Sequence, residues 1–92
     1  MNSAWEEEML ELIGSARNKG ELKELLSALL TPQEYGEIVK RWQIVRLLMK
    51  GATQRAVRDE LNVSIATVTR GAREVRYGTG IFHRLYHRLI RR

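Results

Sequence analysis

Two short helical patterns, Thr53–Leu61 and Ser64–Val75, are separated only by Asn62 and Val63. A connection that short leaves the chain no room to wander, so the two helices must pack directly on each other at a steep angle. The residue types agree with that demand. Asn62 can take the left-handed backbone that a tight turn needs, and Ser64 is a good N-cap for the second helix. Val57, Leu61, Val63 and Val68 are spaced to bury against one another. The spacing predicts a helix-turn-helix over Thr53–Val75, and the rest of the chain has to support it.

The remaining elements read as helices too. Apolar residues at Trp5, Met9, Leu12, Ile13 and Ala16 form a helical stripe with acidic residues in its first turn. Asn18-Lys19-Gly20 reads as a stop signal. Glu21–Leu30 carries leucines at three-four spacing. Thr31-Pro32-Gln33-Glu34 is a helix start, with Thr31 as N-cap, Pro32 in the first helical position and Glu34 completing a capping box. The helix that follows runs towards Lys50, with Ile38, Trp42, Val45 and Met49 on one ridge and Ile44, Leu47 and Leu48 beside it. Lys50-Gly51 closes it. After Gly78-Thr79-Gly80, residues Ile81, Phe82, Leu85, Tyr86, Leu89 and Ile90 define a last amphipathic helix. The expectation is an all-α fold.

With 92 residues, the chain fits a single domain over 1–92 whose core is marginal in one copy. Chains of this size often gain stability by dimerising. No cysteine is present, which excludes disulfides and thiolate metal sites. No apolar run is long enough for a membrane span and no signal-peptide layout is seen, so the sequence reads as cytoplasmic. No nucleophile setting and no phosphate loop is found, so no enzyme is expected.

Charge is divided along the chain. Residues 1–37 hold eight Glu against Arg17, Lys19 and Lys23, a balance of −5. Residues 38–92 hold thirteen Lys or Arg against Asp59, Glu60 and Glu74, a balance of +10. A half this basic suits a polyanionic partner. The second helix of the turn motif begins with small and hydrogen-bonding side chains, as a helix entering the major groove of DNA requires. Ala66 and Thr67 suit thymine methyl groups, and Thr69 can donate to a phosphate or a base. Gln54, Arg55 and Arg58 on the preceding helix suit backbone or purine contacts.

The strings Leu30-Thr31-Pro32-Gln33-Glu34, Arg41-Trp42-Gln43-Ile44-Val45, Thr53-Gln54-Arg55 and, above all, Ile65-Ala66-Thr67-Val68-Thr69-Arg70-Gly71 resemble the tryptophan repressor family. Order and approximate spacing match over residues 25–75. The resemblance implies a six-helix, intertwined homodimer, with 1–50 and 81–92 as the dimer core and 53–75 as the reading head, whose two heads bind a palindromic operator in double-stranded DNA. It implies a transcriptional repressor with L-tryptophan, or a related indole or aromatic amino acid, as corepressor and no catalytic cofactor. Carried over, the DNA contacts are Gln54, Arg55, Arg58, Ile65, Ala66, Thr67 and Thr69. The ligand's ring would lie between Arg41 and Arg70. Thr31 would assist its carboxylate, the carbonyls of Ala28 and Leu30 would receive its amine, and Gly71 would leave room for the ring.

Two departures accompany the resemblance. Glu74 stands where the best-known relatives place a small serine, and it would either pair with a ligand ammonium or repel a ligand carboxylate. Gly51-Ala52-Thr53 is one residue shorter than its counterpart, which would tilt the head. Two alternatives stay open: a DNA-binding regulator of this fold that is ligand-independent or answers to another metabolite, and a basic helical module for an acidic protein. His83 and His87 sit four apart but lack a third ligand, so a solvated basic face is expected there. The last helix is expected to pack on the dimer body and not on a membrane surface.

Overall fold

The computed structural model describes residues 2–91. They form six helices: α1 (Ser3–Gly14), α2 (Lys19–Leu29), α3 (Pro32–Met49), α4 (Gln54–Leu61), α5 (Ile65–Tyr77) and α6 (Ile81–Arg91). No strand occurs among the described residues. The chain divides into two compact units, Met1–Glu37 and Ile38–Arg92.

In the first unit, polar side chains define where helices begin. The Asn2 side chain accepts from the N–H groups of Ala4 and Trp5 at the start of α1. Asn18 works the same way, and here the structure corrects the sequence reading. Asn18-Lys19-Gly20 does not stop a helix; Asn18 caps the next one, accepting from the Glu21 N–H at 2.9 Å. Lys19 and Gly20 already lie inside α2, and α1 ends earlier, with Ser15 as its C-cap. A Cβ on Gly20 would approach the Asn18 side-chain oxygen at 3.2 Å, so the glycine gives the capping amide room.

The capping box at α3 forms as expected. The Thr31 N–H donates to Glu34 Oε1 at 2.8 Å, and the Glu34 N–H donates to Thr31 Oγ1 at 3.1 Å. The Thr31 N–H, and secondarily the Thr31 hydroxyl, hold the Glu34 carboxyl below its ordinary value. A carboxyl lowered by folding stabilises the fold above its unfolded value and loses that contribution as pH falls through the folded one. Glu34→Gln keeps a capping side chain without the charge. Its melting temperature is therefore expected to lie below wild type at neutral pH and to converge on it in acid. A gap that stays constant across that titration would contradict this.

The second unit holds the core. Ile44 of α3, Val57 of α4 and Val68 of α5 are fully buried together, with Leu47, Leu48, Ala52, Leu61 and Val63 packed around them. Three helices thus meet at three aliphatic side chains; Val57 and Val68 pack together as their spacing predicts, Leu61 and Val63 are only partly buried beside them, and Ile44 joins from α3. Gly51, with φ 98, turns the chain after α3, and the N–H groups of Gly51 and Ala52 cap the carbonyls of Leu48 and Leu47. Asn62, at φ 54 and ψ 51, ends α4 in the left-handed region. Alanine there would add its own steric penalty, so Asn62→Ala is expected to lose about 1 kcal/mol while Asn62→Gly loses little. Urea denaturation of the two variants checks this, and equal losses would contradict it.

α6 is attached to α3 through aromatic rings. Trp42 stacks on Phe82 with centroids 6.1 Å apart and meets Tyr86 at 5.7 Å in a tilted arrangement. Trp42 is thus a packing residue. No described helix is long and apolar enough to cross a membrane. His83 and His87 belong to no group of three or more potential metal ligands among the described residues.

Candidate nucleic-acid interface

α4 and α5 carry every residue that the sequence assigns to DNA. Thr53 caps α4, its hydroxyl accepting from the Ala56 N–H at 3.1 Å. Gln54 and Arg55 follow in the first turn, exposed. Arg58 lies one turn on, half-buried, and its Nε pairs with Asp59 at 2.9 Å. Ser64 caps α5, accepting from the Thr67 N–H, and its hydroxyl also bonds that of Thr67 at 2.7 Å. Ile65, Ala66, Thr67 and Thr69 are all exposed. A single exposed apolar side chain is ordinary on a protein surface, and Ile65 gives this face one of a kind that suits a thymine methyl group.

One bond joins the two helices across this face. The Thr69 hydroxyl donates to Gln54 Oε1 at 2.9 Å. It fixes the side-chain direction of Gln54 and ties the start of α4 to the middle of α5. Nothing in the local sequence announces it, because the partners are fifteen residues apart.

The residues assigned to a ligand fall in both units. Ala28, Leu30 and Thr31 belong to the first, and Arg41, Arg70, Gly71 and Glu74 to the second. Arg41, Arg70 and Glu74 are exposed. Gly71 has a task of its own in the unliganded chain. A Cβ there would come 2.9 Å from Ile44 Cγ2, so α5 can lie this close to α3 only because position 71 has no side chain. Glu74, one turn beyond Arg70, extends along the helix towards its end. Its Oε2 lies over Gly78, where a Cβ would come within 2.5 Å of it.

A family profile described as "Trp repressor protein" matches residues 4–90. The chain belongs to the Trp repressor family. Members of this family are transcription regulators and not enzymes. Among curated relatives, the chain is 40% identical over 68 residues to a "Trp operon repressor homolog" of Pasteurella multocida, covering 73% of this chain and 67% of that one. It is 45% identical over 64 residues to a protein of the same description from Mannheimia succiniciproducens, covering 68% and 63%. A third, from Vibrio cholerae, is 37% identical over 75 residues, covering 80% and 72%. The chain thus spans about two thirds of the length of the first relatives it matches. No solved structure matches it significantly.

Proposed function

We propose that this protein is a sequence-specific, DNA-binding transcriptional repressor that reads a palindromic operator as a homodimer and answers to an aromatic amino acid such as L-tryptophan. The observation that carries the reading is the α4–α5 pair. It is a helix-turn-helix with an exposed small and hydroxylated reading face, locked by the Thr69–Gln54 bond, in a unit of net charge +10. Family membership supports the same direction.

The homodimer is supported by what one copy leaves uncovered. Trp5 and Met9 on α1, and Leu85, Leu89 and Ile90 on α6, stand exposed, and a second chain would remove their apolar surface from water. Sedimentation that finds a stable folded monomer at micromolar concentration would argue against it. For the corepressor, guanidinium groups stack on aromatic rings and pair with carboxylates, which suits Arg41 and Arg70 to an aromatic amino acid. Glu74 supports a second reading, in which the regulator is ligand-independent or answers to another metabolite, since it adds a negative charge one helical turn from Arg70 on the same helix.

The test is DNA binding by the full chain to a duplex it selects from a random-sequence pool, with and without tryptophan. Selection of a palindrome with tighter binding in tryptophan is expected. Selection without any tryptophan effect leaves the second reading in place. Binding that is steeply salt-dependent but blind to sequence would overturn both and favour a general polyanion-binding surface.

A further inference from the structure

Two arginines beyond the reading face are absorbed by none of these assignments. Ile65, Thr69, Arg73 and Arg76 recur at intervals of four, four and three residues, so they form one stripe along α5. That stripe begins on the reading face and continues towards the helix's C-terminal end. At 1.5 Å per residue, Arg73 lies about 6 Å and Arg76 about 10 Å past Thr69 along the axis. Both are exposed, and neither enters an ion pair among the described residues. Val68, Gly71 and Val75 occupy the other side of the helix, which is at least partly buried.

A groove of about 380 Å³ runs beside the stripe. Apolar side chains, including Leu48 and Ala72, form part of its lining, and Thr53, Gln54 and Thr69 add a hydroxyl and amide edge. Arg73 and Arg76 are its only charged lining residues. The nearest acid on α5, Glu74, points along the helix to Gly78. A groove with cationic and neutral hydrogen-bonding groups and no carboxylate suits a phosphodiester strand. When the first turn of α5 meets base edges, the later turns rise towards the wall of the groove, where phosphates are.

We propose that Arg73 and Arg76 form a phosphate clamp that grips the DNA backbone flanking the bases read by Ile65–Thr69. This rests on the DNA-binding reading above. Phosphate contacts position a protein without specifying sequence, so the clamp contributes affinity and leaves selectivity to the first turns.

The experiment compares wild type, R73Q, R76Q, R73Q/R76Q and R73K/R76K, all full chain. Binding is followed by fluorescence anisotropy from 50 to 200 mM KCl. The probes are the duplex selected by wild type and a scrambled duplex. The slope of log affinity against log salt is expected to become shallower by about one for each arginine removed. Across that fourfold rise in salt, the double glutamine variant would then lose about tenfold less affinity than wild type. Both duplexes should weaken equally, and the double lysine variant should keep the wild-type slope. An unchanged slope in R73Q/R76Q, with wild type still preferring its selected duplex, overturns the clamp alone. A changed preference between duplexes also overturns it, because the arginines would then read bases. If wild type selects no sequence, the DNA-reading assignment fails and the clamp falls with it.

Discussion

Gly71→Ala is expected to lower the unfolding free energy by about 1–3 kcal/mol, the usual range for overpacking a filled core. The new methyl would arrive 2.9 Å from Ile44 Cγ2. That atom cannot swing away, because it branches from Cβ of a side chain only 1% exposed between α4 and α5. The strain must be relieved by moving α5 off α3, and with it the face that carries Thr67 and Thr69. Urea denaturation gives the loss directly. Ile44→Ala is itself destabilising by about 2–5 kcal/mol, but it vacates the space the methyl needs. In the double variant Gly71→Ala should therefore be nearly neutral, with a favourable coupling of about 1 kcal/mol or more. An additive cycle would show that Ile44 is not what demands glycine. The cycle also separates two roles for Gly71, since packing against Ile44 operates with no ligand present and room for a ligand ring does not.

The second large effect is expected on the reading face. Replacing Thr67 and Arg58 together by alanine should reduce the preference for the selected duplex over a scrambled one by about a hundredfold or more. That follows if each side chain discriminates bases by about 1–3 kcal/mol. Each change has a defined local consequence. Thr67→Ala removes the hydroxyl that bonds Ser64 at 2.7 Å but leaves the backbone cap intact. Arg58→Ala releases Asp59, its partner at 2.9 Å, on a surface that would meet phosphates. Neither residue is in the buried cluster of Ile44, Val57 and Val68, so thermal melts should stay close to wild type. A double variant that melts normally and keeps its preference would remove Thr67 and Arg58 from the interface.

The parts of this fold legible in the sequence are those set by local chemistry. Thr31 and Ser64 cap helices because a hydroxyl oxygen can reach an N–H three residues on; Thr53, read as the first helical residue, caps α4 in the same way. Asn62 was legible because few residues accept a left-handed backbone. Asn18 was misread for a physical reason: asparagine serves both ends of helices, and Gly20 tips a local reading towards an ending. The structure shows that glycine inside the first turn of α2. What local chemistry does not encode is pairing across distance. The Gly71–Ile44 approach and the Thr69–Gln54 bond each join different helices, and no pattern of neighbours foretells them. The candidate site divides the same way. Six of the DNA set can be proposed from residue type on two consecutive helices, whereas Ile65 and the ligand set, which draws on α2, α3, α5 and the residues between α2 and α3, rest on resemblance.

The boundary between the two compact units falls between Glu37 and Ile38, which is also where the charge balance of the chain changes sign. Each unit therefore has its own response to a polyanion: the field around DNA would oppose the Glu-rich unit and favour the basic one. Salt would screen both effects together, so an ionic-strength series on the full chain would report their difference and not the basic unit alone.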